Sequence, residues 1–250
     1  MLLHIFGTCS GTEPYPGRHH TAFAFEHNKR LYWFDAGEGC AYTAHVMGVD
    51  LLRLRKVVIS HPHIDHTGGL ANLLWTVRKL IRVQKRLPEH EIELLLPDLR
   101  LWDGVALLSG MGEEIQAREY ADGLLFDDEG FCITALHNRH LQHEKGAPWR
   151  SFGFLVECEG KRVVYSGDTK DVDDYAPLMD GCDLLLMETG HHHPPQVARE
   201  LLERGIFPGK LAFIHHGRDF LDRYDEQARA LEGIVPGRYV ILEDATTLEV

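Results

Sequence analysis

Three histidines and one aspartate stand within six consecutive residues of this 250-residue chain, in the segment His61-Pro62-His63-Ile64-Asp65-His66. Divalent ions such as zinc bind imidazole nitrogen and carboxylate oxygen at about 2.0–2.2 Å. His61 and His63 are two residues apart, so in an extended turn both can point to the same side. Because this pair can bind one ion and the adjacent Asp65 and His66 a second, the spacing predicts a site for two metals.

Four residues cannot complete two coordination shells, so more ligands must come from distant parts of the chain. The candidates stand just past three predicted strands: His137 and His140 after the first, Asp168 after the second, His215 and His216 after the third. Sites in α/β proteins gather at the C-terminal ends of strands. Asp168 can bridge two ions, because the two oxygens of a carboxylate have separate lone pairs.

Apolar periodicity and turn signals predict the strands and helices that carry these residues. Strands are predicted at 2–7, 21–26, 30–35, 56–60, 92–96, 131–136, 152–158, 161–166, 183–187, 210–214, 238–242 and 247–250. Helices are predicted at about 40–49, 69–86, 98–108 with Asp98 as N-cap, 194–204 and 222–232. The second half repeats the strand-to-helix order of the first. This predicts one α/β domain over residues 1–250, a four-layer αββα sandwich of two mixed sheets flanked by helices.

Composition bounds the function. Hydrophobic residues make up 44% of the chain, enough for a sizeable core, and the formal net charge is -12. Such a charge disfavours a broad, nonspecific polynucleotide-binding surface. Five scattered cysteines without a Cys-x-x-Cys pair indicate reduced thiols and a cytoplasmic protein. We expect no signal peptide and no membrane span, since no apolar stretch approaches roughly 20 residues.

The histidine cluster resembles the signature of the metallo-β-lactamase-fold hydrolases. The resemblance extends over the whole chain, because the segments 34–39, 151–154, 165–169 and 213–217 are similar to further motifs of that family in the same order. The branch that it resembles most is that of the ribonuclease Z-like phosphodiesterases. The segments that carry this second resemblance are Gly7-Thr8-Cys9-Ser10-Gly11 and the helix at 70–86 followed by Leu94-Leu95-Leu96-Pro97.

The resemblance implies a role for each candidate ligand. The first metal would be bound by His61, His63 and His140, the second by Asp65, His66 and His215, with Asp168 as the bridge. On this pattern His140 is preferred to His137, and His215 to His216. Asp35 is predicted to have a structural role, because the family does not use it as a ligand.

The predicted activity is hydrolysis by a metal-bridging hydroxide, most simply of a phosphodiester. Asp65 would also orient the nucleophile, and His192, in the run His191-His192-His193, would protonate the leaving group. The two ions are expected to be zinc, with manganese, iron or nickel left open by the ligand types. Hydrolysis of a thioester, lactone or β-lactam remains an alternative, as does an iron protein that handles oxygen or persulfide.

Ribonuclease Z enzymes carry a long arm for tRNA before the bridging aspartate, whereas residues 152–168 here predict a plain hairpin that turns at Glu159-Gly160-Lys161. The missing arm and the acidic charge argue against tRNA. Expected partners are a small phosphodiester or ester, with short nucleic acid and a homodimer left open. Whether His19 and His20 contact the substrate is left open. Arg78, Arg82 and Arg86 form a basic stripe on one helix, which is most simply a solvated helix face.

Overall fold

The computed structural model describes residues 1–13, 15–88 and 91–250. The chain divides into two compact units, and each is described by itself. Unit 1 comprises Met1–Thr8, Pro14–Tyr120 and Glu243–Val250, and unit 2 comprises Cys9–Glu13 and Ala121–Leu242. No helix among the described residues combines the length and the apolar character that crossing a membrane requires.

Unit 1 is built on a seven-stranded mixed sheet. Its strands are β1 Leu2–Gly7, β2 Ala22–His27, β3 Arg30–Phe34, β4 Leu54–Val58, β5 Ile92–Leu96, β6 Ile115–Glu119 and β14 Thr246–Glu249. They lie in the order β14-β1-β2-β3-β4-β5-β6. The strands β14, β1, β2 and β3 pair antiparallel, and β3 to β6 pair parallel.

The helices of unit 1 are α1 Cys40–Val46, α2 Ile64–Thr67, α3 Leu70–Gln84 and α4 Arg100–Ser109. α3 buries Leu70, Leu73, Leu74 and Val77, which lie on one face at helical spacing. These side chains join a core with strand residues such as Trp33, Val57 and Leu94. The core therefore fixes β4 against α3, and the histidine cluster lies in the turn that joins them.

Unit 2 is built on a second seven-stranded mixed sheet. The strands are β7 Gly123–Asp128, β8 Phe131–His137, β9 Phe152–Cys158, β10 Lys161–Tyr165, β11 Leu184–Thr189, β12 Lys210–His216 and β13 Tyr239–Ile241, and the helices are α5 Pro194–Glu203, α6 Arg218–Asp222 and α7 Tyr224–Ile234. The sheet order is β13-β12-β11-β10-β9-β8-β7. Here β7 to β10 pair antiparallel and β10 to β13 pair parallel, the same pattern as in unit 1. The predicted fold class, two mixed sheets flanked by helices, is confirmed.

Three local predictions were wrong. The strands β6 and β7 were not predicted; each is an edge strand with much exposed surface, so its apolar pattern is weak. The helix predicted at 222–232 is α7, which begins and ends two residues later, and the short helix α6 before it was not predicted. Leu99, not Asp98, is the N-cap of α4, although the Asp98 carboxylate accepts the Arg100 backbone N–H at 3.0 Å.

The predicted hairpin between β9 and β10 is confirmed. Cys158 pairs with Lys161, so only Glu159 and Gly160 form the loop, with φ of 53° and 75°. Two consecutive residues with positive φ are the requirement of the tight turn that matches the twist of an antiparallel pair. The chain therefore passes directly from β9 into β10 and on to Asp168, without an inserted arm.

Candidate metal centre

Unit 1 brings four of the predicted ligands together between β4 and α3: His61 and His63 precede the short helix α2, and Asp65 and His66 belong to it. The His61 ring centroid lies 4.6 Å from that of His63 and 4.1 Å from that of His66. His66 Nε2 lies 3.4 Å from Asp65 Oδ2. His61, Asp65 and His66 are buried, whereas His63 is exposed. These four residues, the unit 1 ligand group, gather three imidazoles and one carboxylate within a single turn.

Asp35 stabilises this turn through hydrogen bonds of its carboxylate. Its carboxylate accepts the Ser60 backbone N–H at 2.7 Å, the Ser60 hydroxyl at 2.9 Å and His66 Nδ1 at 2.8 Å. A carboxylate that accepts the Nδ1 proton of a histidine fixes the tautomer and leaves Nε2 for a metal. Asp35 has a φ of 52° and is fully buried, so the backbone itself aims this carboxylate. These contacts agree with the structural role predicted for Asp35.

A close backbone approach fixes the end of the same turn. The Ala36 N–H donates to the His66 carbonyl at 2.7 Å, and the Gly69 N–H donates to the Ala36 carbonyl at 2.7 Å. A Cβ at Gly69 would lie 2.1 Å from the Gly37 carbonyl oxygen, inside any allowed contact. Glycine is therefore required at position 69 for the turn to pack against the end of β3.

In unit 2 the candidate ligands lie at one end of the sheet, where several strands terminate. Because β8 and β10 are each antiparallel to β9, and β10 to β12 are parallel, the C-terminal ends of β8, β10, β11 and β12 emerge together. Asp168 Oδ2 lies 3.6 Å from His140 Nε2, and Asp168 Oδ1 lies 3.2 Å from His215 Nε2. These three residues form the unit 2 ligand group, in which Asp168 and His215 are buried.

A β-bulge places His215. Glu188 of β11 pairs with Ile214 and Thr189 pairs with His216, so His215 is the extra residue of β12, with a φ of 55°. A bulge re-aims one side chain of a strand. Both ring nitrogens of His216 have other hydrogen-bond partners: Nδ1 lies 2.9 Å from the Thr189 hydroxyl, and Nε2 lies 2.9 Å from the Leu242 carbonyl. The geometry therefore favours His215 as the ligand.

A similar contrast separates His140 from His137. His137 Nδ1 lies 2.6 Å from Asp122 Oδ2, and its ring stacks on Trp149 at 4.1 Å. His137 thus contacts Asp122, just before β7, and Trp149, in the loop after β8, whereas His140 lies beside Asp168. The geometry favours His140, and the ligand assignment itself stays a prediction.

Glu188 is a site residue that the sequence interpretation missed. Its buried carboxylate accepts the His191 backbone N–H at 2.9 Å and lies 3.0 Å from His191 Nδ1 and 3.6 Å from His215 Nδ1. Burial opposes ionisation, but the hydrogen bonds from His191 and the nearby His215 imidazole prevail and hold the pKa of Glu188 well below its ordinary value. The available signal was one acid at the end of the apolar strand Leu184–Met187, directly before three histidines.

The three histidines after Glu188 differ in their contacts. The hydrogen bond to Glu188 raises the pKa of His191, and its ring lies 5.0 Å from that of His140. His192 Nε2 donates to the Thr169 carbonyl at 3.0 Å, and His193 Nδ1 lies 3.4 Å from Asp219. Of the three, His191 is therefore the one nearest to the unit 2 ligand group.

The remaining predicted residues have ordinary contacts. His19 Nδ1 lies 3.0 Å from Glu38, and His20 Nδ1 lies 3.9 Å from the same side chain. On the basic stripe, Arg86 forms an ion pair with Asp50 at 2.5 Å. These contacts are made with Glu38 and Asp50, which do not belong to the unit 1 ligand group.

A cavity of about 590 Å³ opens beside the unit 2 ligand group. It is lined by Arg139, His140, Leu141, Gln142, His143, Trp149, Thr169, Lys170 and His191. Its volume lies in the range of small-molecule sites, about 300–1,000 Å³. Since His140 and His191 contribute to its wall, a ligand in this cavity would lie next to the candidate metal ligands.

Comparison with known proteins identifies the family. The beta-lactamase superfamily domain matches residues 32–240. The chain belongs to this superfamily. Ribonuclease Z of Pyrococcus furiosus is 24% identical over 295 aligned residues, which cover 96% of this chain and 94% of that protein. Ribonuclease Z of Treponema pallidum (strain Nichols) is 34% identical over 74 residues, or 30% of this chain and 24% of that protein.

Solved structures of this superfamily have the same fold. The metallo-beta-lactamase fold protein YhfI from Bacillus subtilis has a TM-score of 0.80 at 18% identity and covers 100% of this chain and 99% of that chain. Human tRNase Z, short form, has a TM-score of 0.74 at 23% identity, again over 100% and 99%. Yeast PDE1 follows with a TM-score of 0.69 at 14% identity, over 100% and 99%. The metallo-β-lactamase fold is therefore confirmed.

Family membership and the donor set agree on the general chemistry. Imidazole nitrogens and carboxylate oxygens, here largely buried, are the ligands that divalent first-row metals bind. The protein is a metal-dependent hydrolase of the β-lactamase superfamily.

Proposed function

We propose that residues 1–250 act as one catalytic domain, a phosphodiesterase that uses two divalent metal ions, zinc in the simplest case. Its substrates would be small phosphodiesters, including short single-stranded nucleic acid. We place it in the cytoplasm, because Cys9, Cys40, Cys132, Cys158 and Cys182 are all free thiols, as a reducing compartment favours.

The main support for two metal ions is the arrangement of histidines around Asp168. One carboxylate oxygen is directed at His140 and the other at His215, at 3.6 and 3.2 Å. A carboxylate can serve two ions in this way, one for each oxygen. Unit 2 alone thus offers two metal positions, each with one histidine and a share of Asp168.

We assign the remaining ligands of these two positions to the unit 1 ligand group. We assign His61, His63 and His140 to the first ion, and Asp65, His66 and His215 to the second. Asp168 is assigned to both. When bound, such a pair of ions lowers the pKa of a shared water toward neutrality and stabilises negative charge that develops on the substrate.

We assign orienting and proton-donating roles to side chains in and around the ligand groups. Asp35 holds His66 in orientation through a hydrogen bond at Nδ1, and the Glu188 carboxylate faces His215 Nδ1 at 3.6 Å. To Asp65, which lies 3.4 Å from His66 Nε2, we also assign the orientation of the nucleophile. For protonation of the leaving group we prefer His191 to His192, because His191 lines the cavity whereas His192 already donates its Nε2 proton to a backbone carbonyl.

A phosphodiester is favoured over a carboxylic ester, thioester or β-lactam by the relatives and by the charge of the cavity. Ribonuclease Z enzymes and PDE1 are among the proteins that this chain is similar to. None of the nine described residues that line the cavity is acidic, although 38 of the 250 residues of the chain are. A phosphodiester is anionic at neutral pH, so such a lining suits it.

The β9–β10 hairpin supports a substrate smaller than tRNA. The alignment with the Pyrococcus furiosus ribonuclease Z spans 295 positions, more than the 250 residues of this chain, so that relative contains segments that this chain lacks. A two-residue turn at Glu159 and Gly160 leaves no room for an arm at this point.

The test is metal content together with turnover of bis(p-nitrophenyl) phosphate, a chromogenic thioester and a chromogenic cephalosporin at matched metal loading. We expect two metal equivalents and preferential hydrolysis of the phosphodiester. His140→Ala should lose metal and activity, whereas the matched control His137→Ala should keep its metal. Preferential hydrolysis of the thioester or cephalosporin would contradict the proposed substrate, and one equivalent at saturation would contradict the binuclear site.

A further inference from the structure

The cavity beside His140 contains two cationic side chains, Arg139 and Lys170, whose surroundings differ. The Arg139 guanidinium donates to Asp174 through Nε at 2.5 Å and also pairs with Asp171. Two carboxylates therefore compensate its charge. No carboxylate in the described part of the chain forms an ion pair with the Lys170 amino group, which belongs to an exposed residue.

The acid nearest to Lys170 along the chain is already engaged. Asp174 accepts the Lys170 backbone N–H and the Thr169 hydroxyl, each at 2.9 Å, in addition to Arg139. These contacts fix the backbone of residues 169 and 170 while leaving the Lys170 side chain to the cavity. Lys170 follows Asp168 by two residues, so the two Cα atoms are at most about 7 Å apart. The amino group thus lies within reach of a substrate bound at Asp168.

The aromatic lining of the cavity is not available for stacking. Trp149 lies between His137 and His143, with ring centroids 4.1 and 3.7 Å away and interplanar angles of 17° and 15°. Base recognition by an aromatic side chain needs an open ring face. With both faces of Trp149 covered, recognition in this cavity depends on charge.

From these observations we infer that Lys170 binds a second phosphate group of the substrate, one that is not hydrolysed. The inference rests on the proposed phosphodiesterase function and narrows it to phosphodiesters that carry an additional terminal phosphate, such as short oligonucleotides with a terminal phosphomonoester. Lysine suits this role, because its ammonium is a compact charge that binds phosphate as a point charge. Lys170 is thus assigned as a specificity-determining residue for the chain length and end group of the substrate.

The experiment compares two substrates that differ only in the second phosphate: thymidine 5′-(p-nitrophenyl phosphate) with and without a 3′-phosphate. For the metal-loaded wild-type protein we expect kcat/KM to be about tenfold higher with the 3′-phosphate, mainly through KM. Lys170→Gln should abolish this preference, and Lys170→Arg should retain most of it. Lys145→Gln, an exposed lysine of the neighbouring loop outside the cavity lining, should behave as wild type.

Binding of thymidine 3′,5′-bisphosphate and thymidine 5′-phosphate, measured by calorimetry, separates this inference from the proposed function. Both ligands share the 5′-phosphate, so their affinity ratio reports on the second phosphate even if neither diester is hydrolysed. A wild-type ratio of about ten that falls to one in Lys170→Gln supports the inference. Equal affinities in the wild type, or an unchanged ratio in Lys170→Gln, would overturn it. Absence of hydrolysis of both diesters would instead count against the phosphodiesterase.

Discussion

The two ligand groups are built in opposite ways. The unit 1 ligand group comes from one short segment, His61 to His66, which follows β4 and includes the first turn of the short helix α2. The unit 2 ligand group comes from three separate strand ends, and the sheet order alone brings them together. Local spacing therefore predicts the first group directly, whereas the second depends on a sheet topology, a bulge and a buried acid that spacing does not show.

The largest expected effect tests whether Asp168 serves both metal positions. Asp168→Ala should remove both metal equivalents and lower kcat/KM by more than about a hundredfold. His63→Ala should remove chiefly one equivalent, because in the proposed site it serves only the first ion. Elemental analysis of purified protein measures both, with circular dichroism to verify folding. Equal metal loss in the two variants would show that the two groups do not differ in this way.

The next effect concerns the carboxylates that orient one histidine in each group. Asp35→Asn should weaken metal binding about 10- to 100-fold. Asparagine tolerates positive φ, so the backbone of Asp35 is kept. Glu188→Gln should cost less, because Glu188 lies 3.6 Å from His215 Nδ1 whereas Asp35 lies 2.8 Å from His66 Nδ1. Competition with a chromogenic chelator gives the affinities, and the reverse order would contradict this interpretation.

A smaller, more selective effect should separate His191 from His192. His191→Ala should lower kcat by about a hundredfold for a substrate with a poor leaving group such as an alkoxide. For p-nitrophenolate, which leaves without a proton, the loss should be much smaller. His192→Ala should show no such dependence on the leaving group. If His192→Ala alone shows it, the original choice of His192 as proton donor is restored.

The smallest effect is on stability in unit 2. Asp174→Asn should lower the free energy of unfolding by about 1–3 kcal/mol at pH 7, because it weakens the contacts with Arg139 and Thr169. Burial raises the pKa of Asp174, but Arg139 and the other donors prevail and lower it below 3.8. The stabilisation is therefore present above pH 3.8 and is lost as the pH falls through the lower folded pKa.

Urea unfolding of wild type and Asp174→Asn across this pH range measures the difference. Asp173→Asn is the matched control, since the Asp173 carboxylate forms an exposed pair with Arg204, and such pairs contribute about 0–1 kcal/mol. A difference between wild type and Asp174→Asn that persists at a pH well below the folded pKa of Asp174 would contradict the assignment.

Much of the fold followed from periodicity, because central strands such as β5 and β9 and the helix α3 bury continuous or regularly spaced apolar residues. The edge strands β6 and β7 did not follow, since they bury little. At the site, the His61–His66 turn was visible as a local pattern. The roles of His216 and Glu188 were not visible in the sequence. They depend on contacts with Leu242, Thr189 and His191 around the ends of β11 and β12.

The bulge at His215 couples activity to stability. A non-glycine residue in the left-handed region costs on the order of 1–2 kcal/mol, which the folded protein carries at position 215 whether or not metal is present. Gly190 must also stay small, since a Cβ there would lie 2.7 Å from His215 Nδ1. A His215→Gly variant removes this cost, but it also empties buried space and frees the unfolded chain, so without metal it should melt close to the wild type or below it. Added metal should raise the melting temperature of the wild type far more. The residue that serves the reaction thus has a backbone conformation that folding alone would not select.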